Sequence, residues 1–218
     1  MVSFFSRVAS RSSQFHEGDI IRSDLFNEDR LLEHAQDLAE THKNTIFATH
    51  NNKLLTRLNE NAQVLLESNI LLSQVSERGE QITPAGSWLI DNYYLMDAQI
   101  QTIKFDLSSR YYKELPELSD GSFSGLPRVF EIAWALVAHT DSHIEPKTIC
   151  QFLSVYQKSS PLLIRELWAI PCQIKLVLIE NLRRVADKIC QNLQKQKQAD
   201  SLANTLIIDT NSRNKKNT

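Results

Sequence analysis

Glycine is scarce, with five in 218 residues. That scarcity argues against a Gly-rich phosphate cradle and against a turn-rich all-β fold. Cysteine is scarce too. Cys150, Cys172 and Cys190 are odd in number, far apart and without a Cys-x-x-Cys pair. They read as buried, reduced thiols of a cytosolic protein. No run of about 18 apolar residues occurs, so no transmembrane segment is expected. The most apolar stretches, Val129 to Ala138 and Ile174 to Ile179, are short and carry Glu131 and Lys175. Neither sign of charge dominates: 24 Lys and Arg against 26 Asp and Glu give a net charge of −2. Nucleic acid is therefore not an expected partner. The sequence also holds no Gly-x-Ser-x-Gly, no His-Glu-x-x-His and no phosphate loop.

What remains is an ordinary globular composition, 42% hydrophobic and 23% charged, in a chain long enough for a real core. Residues 1–22 start Ser/Arg-rich, with no acid before Glu17, and read as a flexible leader rather than a transit peptide. Thereafter the periodicity is helical. Asn27 is placed as an N-cap, with Glu28 and Asp29 in the first turn. Leu31, Leu32, Ala35, Leu38 and Ala39 follow at helical spacing. A second helix carries Leu54, Leu55, Leu58, Ala62, Leu65, Leu66 and Ile70, and ends near Gly79. Thr83-Pro84 opens a third, whose apolar face is read as Trp88, Leu89, Leu95, Met96, Ile100 and Ile103, with Asn92 among them.

Asp120-Gly121 and Ser124-Gly125 mark a loop. Pro127 then opens a helix apolar almost all round, the mark of a buried central element. Pro146 and Ser160-Pro161 start two short helices, and Pro171 begins or kinks a long one that buries Ile174, Val177, Leu178, Leu182, Val185 and Ile189. From Ala199 the pattern is lost. The expected architecture is all-α, a single helical domain of about seven helices over residues 23–198, with a disordered tail at 199–218.

Three constellations carry possible chemistry. Arg128, Glu131 and His139 fall near one stripe of the central helix and, with Asn92, are candidates for a buried polar network. The plainer alternative is an Arg128–Glu131 ion pair at i, i+3 and a helix-end histidine. His139, Asp141 and His143 have metal-ligand chemistry at spacing two, which suits an extended segment and not a helix end. A chain-turning role is favoured there, and no metal or other cofactor is expected. Trp88, Asp91, Tyr93 and Tyr94 are candidates for a sugar-binding face, since sugar rings stack on aromatics and hydrogen-bond at their rim. Aromatics at helical spacing are more often core. No two of the 26 acids stand out as a glycosidase pair.

Several blocks are too specific to arise from helix patterning. Residues 82–94 read Ile-Thr-Pro-Ala-Gly-Ser-Trp-Leu-Ile-Asp-Asn-Tyr-Tyr; Tyr-Tyr-Lys-Glu-Leu-Pro follows at 111–116. Leu-Pro-Arg-Val-Phe-Glu-Ile-Ala-Trp-Ala-Leu-Val-Ala-His-Thr-Asp-Ser spans 126–142, and Leu-Trp-Ala-Ile-Pro and Ile-Glu-Asn-Leu-Arg-Arg come later. Together, over residues 23–189, they resemble the N-terminal region of the cyclic β-1,2-glucan synthases. Those are very large bacterial membrane glycosyltransferases that build a glucan from UDP-glucose, set its length with a phosphorylase-like domain and cyclise it.

The resemblance implies a non-catalytic helical domain on the cytoplasmic side, ahead of the membrane segments and the transferase. It implies partners among the other synthase domains or a membrane-bound protein that holds the chain at the inner membrane. No catalytic residue of the family maps here, and the Asp-x-Asp and Gln-x-x-Arg-Trp motifs of processive transferases are absent. The shift to Lys, Gln and Asn after Ile189 favours the stub of a truncated synthase gene over a separately encoded domain. The alternatives are an independent glucan-binding domain and an adaptor that pairs through its last helix.

Overall fold

The computed structural model describes residue 21, residues 24–47, 52–108, 112 and 114–216. Among them are helices α1 (Glu28–Thr41), α2 (Lys53–Glu77), α3 (Pro84–Ser108), α4 (Arg128–His139), α5 (Pro146–Ser159) and α6 (Ile164–Lys216). A short ribbon joins β1 (Thr45–Ile46) to β2 (Glu117–Leu118), antiparallel, with Thr45 opposite Leu118. The all-α class holds, with six helices among the described residues against about seven expected. Of the two roles expected for Pro171, beginning or kinking the last helix, the first does not hold: it sits inside α6. One lost backbone hydrogen bond does not end a helix whose flanks, Ala169, Ile170, Cys172 and Ile174, are all buried.

The sequence signals at helix ends act as their chemistry requires. Asn27 Oδ1 accepts from the Arg30 N–H at 2.9 Å, and Thr83 Oγ1 from the Gly86 N–H at 3.2 Å. Gly79, at φ +70°, closes α2: its N–H donates to Ser76 O, and that of Glu80 to Val75 O. This pair of bonds satisfies carbonyls the helix cannot. Asp141 and Ser142, both at positive φ, turn the chain after α4, with the Ser142 N–H on Val137 O.

α6 organises the packing, meeting α2, α3 and α4, while α1 packs on α5 and α2 on α3. The face that each helix buries differs from the sequence reading in two places. α2 turns Leu66 and Ile70 outward and buries Arg57, Asn61 and Ser68. α3 buries Gly86, Leu89, Met96, Ile100, Ile103 and Leu107, and leaves Trp88 and Leu95 exposed. Both helices are apolar on more than one side, so periodicity alone does not say which side meets the core. α6 remains helical to Lys216, past Ala199. The Cys150 thiol is exposed, against expectation, while Cys172 and Cys190 are buried. Burial pushes the Cys172 thiol up to about 11. No helix among the described residues is long and apolar enough to cross a membrane.

Candidate functional site

α6 carries polar residues seven apart, Glu166, Gln173, Glu180 and Asp187. A seven-residue interval nearly returns a helix to the same face, and here that face is largely interior. Glu166 and Gln173 are fully buried and Glu180 is 1% exposed. Both of these buried glutamates are met by arginine. Arg128 at the start of α4 holds Glu166 through Nε to Oε1 at 2.6 Å and Nη2 to Oε2 at 2.8 Å. Its remaining donors reach Ser160 Oγ at 2.7 Å and the Pro161 carbonyl at 2.8 Å. Glu166 Oε2 also accepts the Leu163 N–H at 2.8 Å, the reach-back of a capping box. Two-pronged arginine–carboxylate geometry with every oxygen used is the condition under which a buried pair is tolerated.

Farther along α6, Arg57 of α2 meets Glu180 twice at 2.5 Å, and Arg184 adds a third bond at 2.8 Å. The Arg57 guanidinium lies 5.6 Å from the Phe130 ring centre, and that of Arg184 lies 5.2 Å from Trp134. Burial alone would raise the Glu180 carboxyl. The hydrogen bonds and charges of Arg57 and Arg184 outweigh it and hold the group below the usual carboxylate range.

A third cluster joins α1, α4 and α5. His42, just past α1 and 2% exposed, has Nε2 3.0 Å from Glu131 Oε2 and Nδ1 2.9 Å from the Tyr156 hydroxyl. With Nε2–H donating to the carboxylate, a neutral ring accepts the Tyr156 O–H at Nδ1. Burial pushes Tyr156 up to about 12, so it stays protonated at neutral pH, with Arg128 and Ser160 as its other neighbours. Glu131, His42, Tyr156, Arg128 and Glu166 thus form one connected polar path through the interior. It fastens helix ends together, and its innermost carboxylate already accepts three hydrogen bonds, with both oxygens engaged. Held as the anion of a buried ion pair, Glu166 is poorly placed to act as a general base.

Two sequence candidates, Arg128 and Glu131, lie in this path. They do not pair with each other: the i, i+3 geometry is overridden by Glu166 and His42, which bring better-aligned partners from other helices. His139 sits at the far end of α4. Its ring stacks on Phe26 at 3.8 Å, Nδ1 donates to the Asp24 carbonyl at 2.9 Å, and His34 stands 4.8 Å away. Burial, followed by the charge of His139, lowers the His34 pKa. Asn92 stays on its own helix and donates to the Trp88 carbonyl at 2.8 Å.

Of the glucan-binding candidates, Trp88, Asp91 and Tyr94 share the exposed side of α3, with Trp88 51% and Tyr94 67% accessible. Tyr93 is half-buried on the other side. His143 is 85% exposed beside Glu145, and among the described residues no three His, Cys, Asp or Glu side chains gather as a metal site. Sequence reasoning missed His42, Arg57, Tyr156, Glu166 and Glu180. The signal for the last two was present, as charges at heptad spacing on an otherwise apolar face of the last helix.

No family model matches the chain. It is 34% identical over 196 residues to the cyclic beta-(1,2)-glucan synthase NdvB of Rhizobium meliloti (strain 1021). That match takes in 90% of this chain and 7% of NdvB, so the chain spans a small part of the length of its curated relative. One-third identity sustained over nearly all of a helical domain with so specific an interior leaves one conclusion: the chain is related to the cyclic β-(1,2)-glucan synthase family.

Proposed function

We propose that the chain is a non-catalytic helical domain of the N-terminal type found in a cyclic β-1,2-glucan synthase system, a scaffold on the cytoplasmic side for a UDP-glucose-using transferase. The observation that carries the reading is the state of the interior carboxylates. Glu166 and Glu180 are closed off by Arg128, Arg57 and Arg184, which builds a rigid body and leaves neither of these two interior acids poised for sugar chemistry. The partners are then other domains of the synthase or a membrane-bound protein. The test supplies the chain in trans to a synthase lacking the corresponding segment. Glucan synthesis should return, while the chain alone should neither bind nor turn over UDP-glucose. Turnover by the isolated chain would refute the reading.

A second reading rests on Trp88, Asp91 and Tyr94 on one exposed helix face, where a glucan could stack and hydrogen-bond. A saturable change in tryptophan fluorescence with linear β-1,2-glucan, lost in Trp88→Ala, would favour it. Unchanged fluorescence and melting temperature would leave the scaffold.

A further inference from the structure

Helix α3 presents two faces suited to packing, and the fold covers one. Its outer stripe is Trp88, Asp91, Leu95, Ala98, Thr102 and Phe105, all exposed. Trp88 is 51%, Leu95 49% and Phe105 79% accessible. The intervals of three and four residues are those of a helix–helix seam. A helix apolar on both sides belongs between two partners, yet among the described elements the main neighbours of α3 are α2 and α6.

The stripe also reads the same from either end. Laid antiparallel on an identical stripe, it sets Trp88 against Phe105 of the other copy, Leu95 against Ala98 and Thr102 against Asp91. The layers are aromatic on aromatic, large on small, and hydroxyl on carboxylate. In the single chain the Thr102 hydroxyl donates to its own helix, at the Ala98 carbonyl, a bond it can exchange for one to Asp91. The flanking positions decide what kind of partner fits. Ser87, Tyr94, Gln101 and Ser108 border one side, and Asn92, Gln99 and Asp106 the other. Asp106 is the one charge among these seven and opposes Ser87 in this register, and within the seam Asp91 faces the neutral Thr102, so no acid of one face stands directly opposite an acid of the other. A seam built for a different protein would ordinarily carry charges there to select it.

We propose that two copies of the chain pair through this face, α3 antiparallel on α3 about a twofold axis between Met96 and Asp97. From Trp88 to Phe105 the seam runs about 26 Å at the helical rise. The dimer stands independently of the glucan-synthase reading, since it follows from one helix face and its borders.

Sedimentation of the full chain over a concentration series should show a dimer that dissociates on dilution. Leu95→Glu should weaken it about tenfold or more, with helix content and melting behaviour of the dilute protein unchanged. Orientation is read by crosslinking in a Cys150→Ser background. Mild oxidation of mixed Asp91→Cys and Thr102→Cys chains should yield a covalent dimer, and either chain alone much less. A wild-type chain monomeric at every concentration would overturn the proposal. So would Asp91→Cys chains that crosslink to themselves as well as to Thr102→Cys, because residues about 16 Å apart along an antiparallel seam meet their own copies only in a parallel pair. Unfolding of dilute Leu95→Glu would overturn it as well, by showing the face to be core.

Discussion

Helices α4 and α3 are both rich in apolar residues, and the fold treats them differently. α4 buries nine of its 12 residues, α3 six of its 25. α4 even takes a charge inside, Arg128, because Glu166, Ser160 and Pro161 absorb its donors. α3 leaves a tryptophan and a phenylalanine in water. The difference separates architecture from recognition. A polar group enters the core where its bonding is complete, and a large apolar surface stays outside where another surface is meant to cover it.

The contrast breaks most sharply at its charged end. Glu166→Ala strands Arg128 inside the protein and should cost about 3–5 kcal/mol in urea unfolding. Leu95→Glu on α3 should change the stability of the dilute chain by no more than about 0.5 kcal/mol. Next comes the His42 cluster. Tyr156→Phe leaves His42 Nδ1 buried without a partner and should cost about 1–3 kcal/mol. Glu131→Ala should cost about 1 kcal/mol, less than a sealed pair, since the Glu131 side chain is 25% exposed and water can take its place.

Acid should find the interior first. The His34 pKa lies below its ordinary 6.5 and that of Glu180 below 4.5. A depressed folded value means stability that is present above the unfolded pKa and lost as pH falls through the folded one. Stability should therefore decline below pH 6.5 through His34 and again below 4.5 through Glu180. His34→Gln should remove the upper step, as read by melting temperature against pH. The smallest effect belongs to Gln173, whose amide atoms are buried without hydrogen bonds. Gln173→Met should leave stability unchanged or raise it by about 1 kcal/mol, because it relieves that debt without opening a cavity.

Much of the scaffold was legible in the sequence, for a local reason. Asn27, Gly79, Thr83 and Pro84 act within one helical turn of themselves, and helix ends are decided there. Arg128 and Glu131 were legible as polar residues on a buried helix. Their partners were not, because Glu166 lies 38 residues from Arg128 and His42 lies 89 from Glu131, and only tertiary packing brings them together. The outward face of α3 was illegible for another reason. Trp88 and Leu95 look like core to any periodicity argument, since an interface seam and a core seam share one pattern.

The most direct test of the division between α4 and α3 is amide hydrogen exchange on the full chain at low and at high protein concentration. If the outer face of α3 pairs with a second copy, the amides of residues 88–105 should slow as concentration rises, while those of α4 are equally protected at both. Protection of α3 that is independent of concentration, or exchange in α4 that outpaces α3, would contradict it.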